Sequence, residues 1–369
     1  NLSDDAYEEL QPIQWPVNKQ HPTGKARFFA HGEFYTANQK ANILPLIPKL
    51  PKHLPTQDYP LALNSGRIRD QWHTMSRTAL APQLNQHISE PFVQMHKDDA
   101  HNRNLVDGQL VKIRSRWGEM MGRLNITDQV KAGDIFAPMH WTSQLSKTGR
   151  INSAVNPVVD EFSKQPESKH TPVQVVSFKA QNYGFMLSRE TFPWPECDYV
   201  VEVKGRQSTR YEFAHSQVCK EPILQMLNWL GLKNEAAAKA QQLEILSYQD
   251  PGSELYRLAV LNQQGQLQAV GFMSPTHQLP EPTWLALQFE KDTLATRARH
   301  AILSGYAPAG EDIGPIVCAC FSVGQKQIEK AIKDEGVTST KEIGECLKAG
   351  TNCGSCIPEL KQIIAKCQS

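Results

Sequence analysis

Of the eight cysteines in this 369-residue chain, four crowd into two short stretches near the C-terminal end. Cys318 and Cys320 form a C-x-C pair in VCACFSVG, and Cys353 and Cys356 form a C-x-x-C pair in TNCGSCIPEL. Residues 321–352, 32 positions, separate the two pairs. A helical hairpin across that interval would gather four thiolates, which suit a [2Fe–2S] cluster or a zinc ion. Gly354 lets the backbone turn inside the second pair. Pro358 fits the first turn of a helix whose free N–H groups and positive dipole end favour an anionic cluster. Zinc knuckles more often use two C-x(2–4)-C pairs, so the C-x-C half leans toward iron and leaves zinc as the competing metal. A thioredoxin-like dithiol needs a βαβ context that this stretch lacks. Cys197 and Cys219 have no close partner and read as ordinary buried thiols. Cys346, between Ile343 and Leu347 on a helical pattern, reads as a core residue, and Cys367 is nearly terminal.

A second stretch with chemical potential is NSGRIRDQWHTMSRT, residues 64–78. It follows the apolar run YPLAL, and a strand that ends in a glycine turn leaves N–H groups open to an anion. Arg67, Arg69, Arg77 and His73 add positive charge, Ser65, Thr74, Ser76 and Thr78 add hydroxyl donors, and only Asp70 opposes them. That mixture suits a phosphate-bearing ligand, with a solvated basic loop as the plain alternative.

These residues need scaffolds of different kinds. Residues 1–55 are rich in proline (PIQWPV, ILPLIPKLPKHLP) and read as a connecting segment, with a short strand or two around residues 27–35. Residues 56–178 are strand-rich: YPLAL is an apolar run, QLVKIRS alternates, and VDGQLVKIRSRWGEMMGRLNI reads as a hairpin; this is a compact β domain. Residues 179–312 are mixed α/β. VVEVKG, YRLAVLNQQGQLQAVGFMS and TWLALQF supply strands, and EPILQMLNWLGLKNEAAAKAQQ and DTLATRARHAILSGY supply helices. Residues 313–369 form a small helical module, with Ile328, Ala331 and Ile332 on one helical face and a Ser339–Glu342 capping box. The predicted fold is thus multidomain α+β. Formal net charge is +1, which argues against a nucleic-acid partner. No apolar run reaches the length of a membrane span, and nothing at the start reads as a secretory signal. The polar start NLSDDAYEEL without Met suggests a piece of a longer protein.

VCACFSVGQKQIEKAI…TNCGSCIPELKQII resembles the bacterioferritin-associated-ferredoxin type of [2Fe–2S] domain, which carries the same two cysteine pairs about a helical core. That resemblance covers the last 55 or so residues and implies Cys318, Cys320, Cys353 and Cys356 as cluster ligands. The basic loop resembles the cofactor loop in the C-terminal domain of the dimethyl-sulfoxide-reductase family of molybdenum enzymes. The downstream pieces EPFVQMHKDDAHNRNLVDGQLVKIRSRWGEM, GDIFAPMHW and INSAVNPVVDEFSKQPESKHTPVQV recur in order. The family resemblance implies a double-psi β-barrel that binds molybdopterin guanine dinucleotide, as Mo-bis(molybdopterin guanine dinucleotide). By that resemblance Ser65, Gly66, Arg67, Ile68, Arg69, Asp70, Gln71, Trp72, His73 and Thr74 line the dinucleotides, and Asn152 and Lys169 add two contacts.

A barrel of this type, a middle α/β region and a C-terminal [2Fe–2S] module together resemble the branch of the family that reduces nitrate to nitrite for assimilation. LQPIQWPV near the start fits that branch too. The implied partners are nitrate and an electron donor: an NAD(P)H flavoprotein, ferredoxin or flavodoxin. The implied location is the cytoplasm. A [4Fe–4S] cluster and the protein ligand to molybdenum belong, by resemblance, to upstream parts, and no cysteine here can be assigned to either. The segment before Asn152 is longer than in periplasmic relatives, so the substrate-side position maps onto Met139, His140 or Trp141 without a choice among them. The alternatives are another oxidoreductase of the family, such as a formate dehydrogenase, and a non-catalytic iron–sulfur carrier.

Overall fold

The computed structural model describes residues 2–45 and 47–368, which divide into two compact units at Leu50/Pro51. In the first, a short helix α1 (Asp4–Glu8) is capped by Ser3, whose Oγ accepts the Ala6 N–H at 3.3 Å. The expected strands around residues 27–35 are absent; the chain turns there, with Phe29 at φ 54° and Gly32 at φ 74°. Positive φ at these positions is incompatible with an extended ladder. Phe29 instead stacks on Phe34 at 4.8 Å.

The second unit begins with a closed six-stranded barrel. Its strands are β1 (Leu61–Gly66), β2 (Phe92–Met95), β3 (Leu110–Arg114), β4 (Glu119–Ile126), β5 (Asp134–Pro138) and β6 (Thr171–Ser177), in the order β1-β5-β2-β4-β3-β6. A short helix α2 (Lys97–His101) follows β2. β1 runs parallel to β5 and β2 parallel to β4, and the other pairs are antiparallel. Leu61, Leu63, Val93, Met95, Val111, Ile113, Ile135 and Val173 close the core. They alternate along their strands, which is the period-2 signal that made the domain readable. The expected β3–β4 hairpin is present.

The middle region is a six-stranded antiparallel sheet of β7 (Asn182–Ser188), β8 (Tyr199–Lys204), β9 (Thr209–His215), β10 (Glu244–Asp250), β11 (Leu255–Leu261) and β12 (Leu267–Ser274), ordered β10-β11-β12-β7-β9-β8. Helices α3 (Pro222–Trp229) and α4 (Glu235–Ala240) cover one face through Met226, Leu227 and Ala238. Helices α5 (Thr283–Gln288) and α6 (Thr296–Ala301) cover the other through Trp284, Leu285 and Ala298. TWLALQF is therefore a helix and not the expected strand. Trp284, Leu285 and Gln288 are buried at helical spacing, and so short an apolar run does not reveal its period.

The tail pairs β13 (Ile316–Cys318) with β14 (Val323–Gly324) and adds α7 (Gln325–Asp334), α8 (Thr340–Leu347) and α9 (Ile357–Gln368). Ile328, Ala331 and Ile332 face its core, and the Ser339–Glu342 capping box forms in both directions. Cys367 packs against this core. Cys346, expected inside, is exposed. Ile343 and Leu347, four residues apart, take the inward stripe, and Cys346 falls beyond its edge. Of the two thiols read as buried, Cys197 is buried and Cys219 is half-buried. Among the described residues no helix is long and apolar enough to cross a membrane.

Candidate cofactor loop and thiol centre

β1 delivers the basic loop to one end of the barrel. Parallel pairing puts the end of β5 beside it, and Met139 N–H donates to Gly66 O at 2.8 Å. Gly66 cannot carry a side chain, because a Cβ there would lie 2.7 Å from the Phe136 ring. Ser65 is buried and its Oγ donates to Ser168 O at 2.8 Å; Lys169 Nζ donates to Ser65 O. The structure thus brings Lys169 onto the loop. Asn152 is exposed on a separate 3-10 turn, Ile151–Ser153, anchored by Ile151 in the barrel core.

His140 holds the loop in shape. It is fully buried, with Nδ1 2.7 Å from His73 O and Nε2 accepting the Ile68 N–H at 3.0 Å. These bonds require the neutral ring with its proton on Nδ1. Burial lowers its pKa, aided by the charge of Arg67, against the opposing bond to His73. His73 itself sits at φ 43° and Met75 at φ 61°, so the imidazole braces a stretch in left-handed conformation. Trp141 is buried among Met75, Ala79, Leu110 and Tyr199, and Met139 is half-buried against the barrel core.

The ten residues 65–74 split into two sets. Arg67, Trp72, His73 and Thr74 are exposed, the Arg67 guanidinium 5.2 Å from the Trp72 ring centre. Beside them opens a cleft of about 260 Å³ lined by Thr74, Ser76, Gln144, Glu202 and Lys204. Ile68 is half-buried and presents its N–H to His140. The other set faces inward. Gln71 is buried and donates to Leu84 O at 3.0 Å. Arg69 and Asp70 turn toward the tail. Arg69 Nε lies 2.9 Å from Asp70 Oδ2, its Nη2 donates to Val317 O, and Nη1 is 3.1 Å from Glu359 Oε2 on α9. The Nη1 hydrogens are not aligned on that oxygen, so the contact is coulombic. His87 bridges the same two carboxylates, Nδ1 to Asp70 at 2.8 Å and Nε2 to Glu359 at 3.2 Å. Burial works against its charge, but the bonds to Asp70 and Glu359 prevail and raise its pKa. His87 and Glu359 carry no motif of their own, because their partners come from distant segments. A little further along, Ser322 Oγ donates to Gln86 Oε1 at 3.0 Å and receives Arg206 Nη2 at 3.3 Å.

The four tail thiols meet as two pairs, each crossing between segments. Cys320 Sγ and Cys353 Sγ are 3.4 Å apart, and Cys318 lies beside Cys356. The first pair faces outward, with Cys353 exposed; the second is buried. Gly354 at φ 74° makes the turn between Cys353 and Cys356, and α9 starts at Ile357 with Pro358 in its first turn. Hydrogen bonds from the Ser355 hydroxyl and N–H lower the Cys353 pKa. Burial, with Cys318 beside it, pushes Cys356 up to about 11, while Arg69 pulls in the other direction. A diiron cluster takes two thiolates per iron, and two crossed pairs answer that demand. Among the described residues, no group of three or more His, Cys, Asp or Glu side chains closes round a single point.

Three residues beyond His87, Arg123 of β4 grips Glu90 through two bonds of 2.9 Å, and Tyr199 of β8 donates to Glu90 at 3.0 Å. Glu212 of β9 lies nearby, paired with Arg210 at 3.0 Å. Burial, then the charge of Glu90, push Glu212 up to about 7.

The chain matches two domain families. Residues 61–172 match the Molydopterin dinucleotide binding domain, and residues 316–366 the BFD-like [2Fe-2S] binding domain. It is 32% identical over 366 residues to a nitrate reductase of Klebsiella oxytoca, covering 99% of this chain and 40% of that protein. It is 30% identical over 166 residues to the assimilatory nitrate reductase catalytic subunit of Bacillus subtilis, covering 44% of this chain and 23% of that one. It is 32% identical over 167 residues to the alpha subunit of an F420-dependent formate dehydrogenase of Methanocaldococcus jannaschii, covering 45% and 24%. The chain therefore spans well under half the length of these relatives.

Proposed function

We propose that this chain, a molybdopterin-dinucleotide-binding barrel joined to a BFD-like [2Fe–2S] domain, is the C-terminal part of a cytoplasmic molybdenum assimilatory nitrate reductase. The observation that carries the reading is the direct contact between the basic loop and the thiol module, Arg69 on Val317 O, within one compact unit. A cofactor loop touching an electron-carrying module is what a redox enzyme needs and a bare scaffold does not.

Parallel pairing of β1 with β5 and β2 with β4 supports a double-psi barrel. Arg67, Trp72, His73, Thr74, Asn152 and Lys169 present charge, hydroxyl and amide groups for the guanine dinucleotide of Mo-bis(molybdopterin guanine dinucleotide). Ser65, Gly66 and Ile68 shape the backbone beneath it, and Arg69, Asp70 and Gln71 tie that backbone down. When bound, the molybdenum cofactor supplies removal of an oxygen atom from nitrate. His140 keeps the loop in place without carrying charge. Met139 is the substrate-side candidate whose side chain is not wholly committed elsewhere, since His140 and Trp141 are buried. Cys318, Cys320, Cys353 and Cys356 hold the [2Fe–2S] cluster, with the outer pair toward an incoming donor: an NAD(P)H flavoprotein, ferredoxin or flavodoxin. Each nitrate needs two electrons and the cluster carries one at a time, through a [4Fe–4S] relay outside this chain.

The formate dehydrogenase relative favours a second reading, formate oxidation, but it is matched over 45% of this chain against 99% for the Klebsiella protein. The full-length protein decides. Viologen-driven nitrate reduction with molybdenum, pterin and iron present is expected. Formate oxidation without nitrate reduction would select the second reading, and a preparation with iron but no pterin would leave only an electron carrier.

A further inference from the structure

Arg69 belongs to the run assigned by resemblance to the dinucleotide, yet its guanidinium is turned toward Asp70 and the tail module. Nε meets Asp70, Nη2 meets the carbonyl of Val317, and Nη1 faces Glu359. Val317 directly precedes Cys318, and Glu359 follows Cys356 by one helical turn, so the guanidinium bridges the two segments that carry the thiol pairs. Its side chain is only 19% exposed. It is fixed in a plane by partners on both sides, which an arginine fork does and a lysine does not. Its charge reaches the buried thiol of Cys356.

Resting on the iron–sulfur reading above, we propose that Arg69 is a positioning residue for the [2Fe–2S] module: it docks the module on the cofactor loop and holds the cluster's reduction potential up. A cluster on four thiolates is anionic, and reduction adds one more negative charge. A fixed cation in a weakly solvated position favours that added charge, and its loss disfavours it. Glu359, an anion beside the same guanidinium, must act with the opposite sign.

The test is an EPR-monitored redox titration of the [2Fe–2S] signal in the full-length holoenzyme, a readout that does not depend on nitrate turnover. Arg69→Gln is expected to lower the one-electron equilibrium constant about tenfold, a midpoint shift of about 59 mV to more negative potential. Glu359→Gln is expected to shift the midpoint the other way. Arg69→Lys is expected to stay close to wild type in potential while limited proteolysis releases the tail module more readily. A merely structural role would move the two neutralised variants in the same direction or not at all, and either result overturns the proposal. If Arg69→Gln fails to fold, Glu359→Gln against Arg69→Lys still gives the sign: a midpoint in Glu359→Gln at or below that of wild type overturns it. A wild-type enzyme without the [2Fe–2S] signal would overturn the underlying reading, and is recognised by missing iron before any variant is compared.

Discussion

The barrel is tied to its two neighbours in different ways. Toward the middle sheet, Arg123 and Glu90 make a two-bonded pair, closed over by Tyr199 and Glu212. Toward the tail, Arg69, Asp70, His87 and Glu359 form a ring of alternating charge with Glu359 reaching solvent. The first tie has little tolerance, because removing Arg123 leaves the Glu90 carboxylate close to that of Glu212, with Arg210 as the cation between them. The second can be weakened in steps, by salt, by pH or by single neutral substitutions. One neighbour is built in, and the other is docked.

The largest expected effect breaks the built-in tie. Arg123→Ala should cost about 3 kcal/mol of stability in chemical denaturation, the lower end for a broken buried pair since these side chains keep some solvent contact. A loss under about 1 kcal/mol would show the two ties to be alike. Deleting residues 313–369 from the full-length enzyme should, by contrast, leave molybdenum content and viologen-driven nitrate reduction largely intact while reduction by the physiological donor is abolished. Loss of both activities with molybdenum retained would mean that the tail does more than receive electrons.

Salt and pH sharpen the comparison further. Raising ionic strength from 0.05 to 1 M shortens the screening length several-fold, so hydrogen exchange should rise in α9 and stay unchanged in β8 and β9. The pKa of His87 is raised in the folded chain, so its contribution is complete below its ordinary value of 6.5 and is lost as pH rises through the higher folded value. Glu212, at about 7 when folded against 4.5, stabilises fully below pH 4.5 and loses that contribution as pH rises through about 7. His140 has the opposite sign: its lowered pKa makes the neutral ring stabilising above 6.5, an advantage lost as pH falls through the folded value. His87→Gln should therefore flatten the alkaline loosening of the tail, seen as α9 exchange against pH, and leave the melting profile of the barrel and sheet alone. The smallest effect is expected for Cys346→Ser, under about 0.5 kcal/mol, because the exposed thiol holds nothing but a 3.6 Å contact to Ile343 O.

What could be read in advance follows the range of the interaction. The apolar run of β1, the alternation in β3, the β3–β4 hairpin, the Ser339–Glu342 cap and the Gly354 turn are local signals, and the structure carries them all. TWLALQF failed because so short an apolar run fits either period, and residues 27–35 failed because positive φ at Phe29 leaves no trace in residue type. Composition identified the basic loop, but not that Arg67 and Arg69, two positions apart, face opposite ways. That division comes from His87 and Glu359, which meet the loop only after folding.

The crossing of the thiol pairs has a mechanical meaning. Cys320 and Cys353 lie 33 positions apart, and Cys318 and Cys356 span a slightly longer interval. Metal held by either pair is therefore a cross-link that closes a loop containing all of α7 and α8. A loop of this length loses a few kcal/mol of chain entropy when it is pinned, by the same reasoning that applies to a disulfide. A module of some fifty residues has a small core and gains more from such a staple than a large domain does. Cluster loading and tail folding are then one equilibrium: chelating the iron should melt α9 first in the very region that carries Glu359, and so release the tail from the barrel.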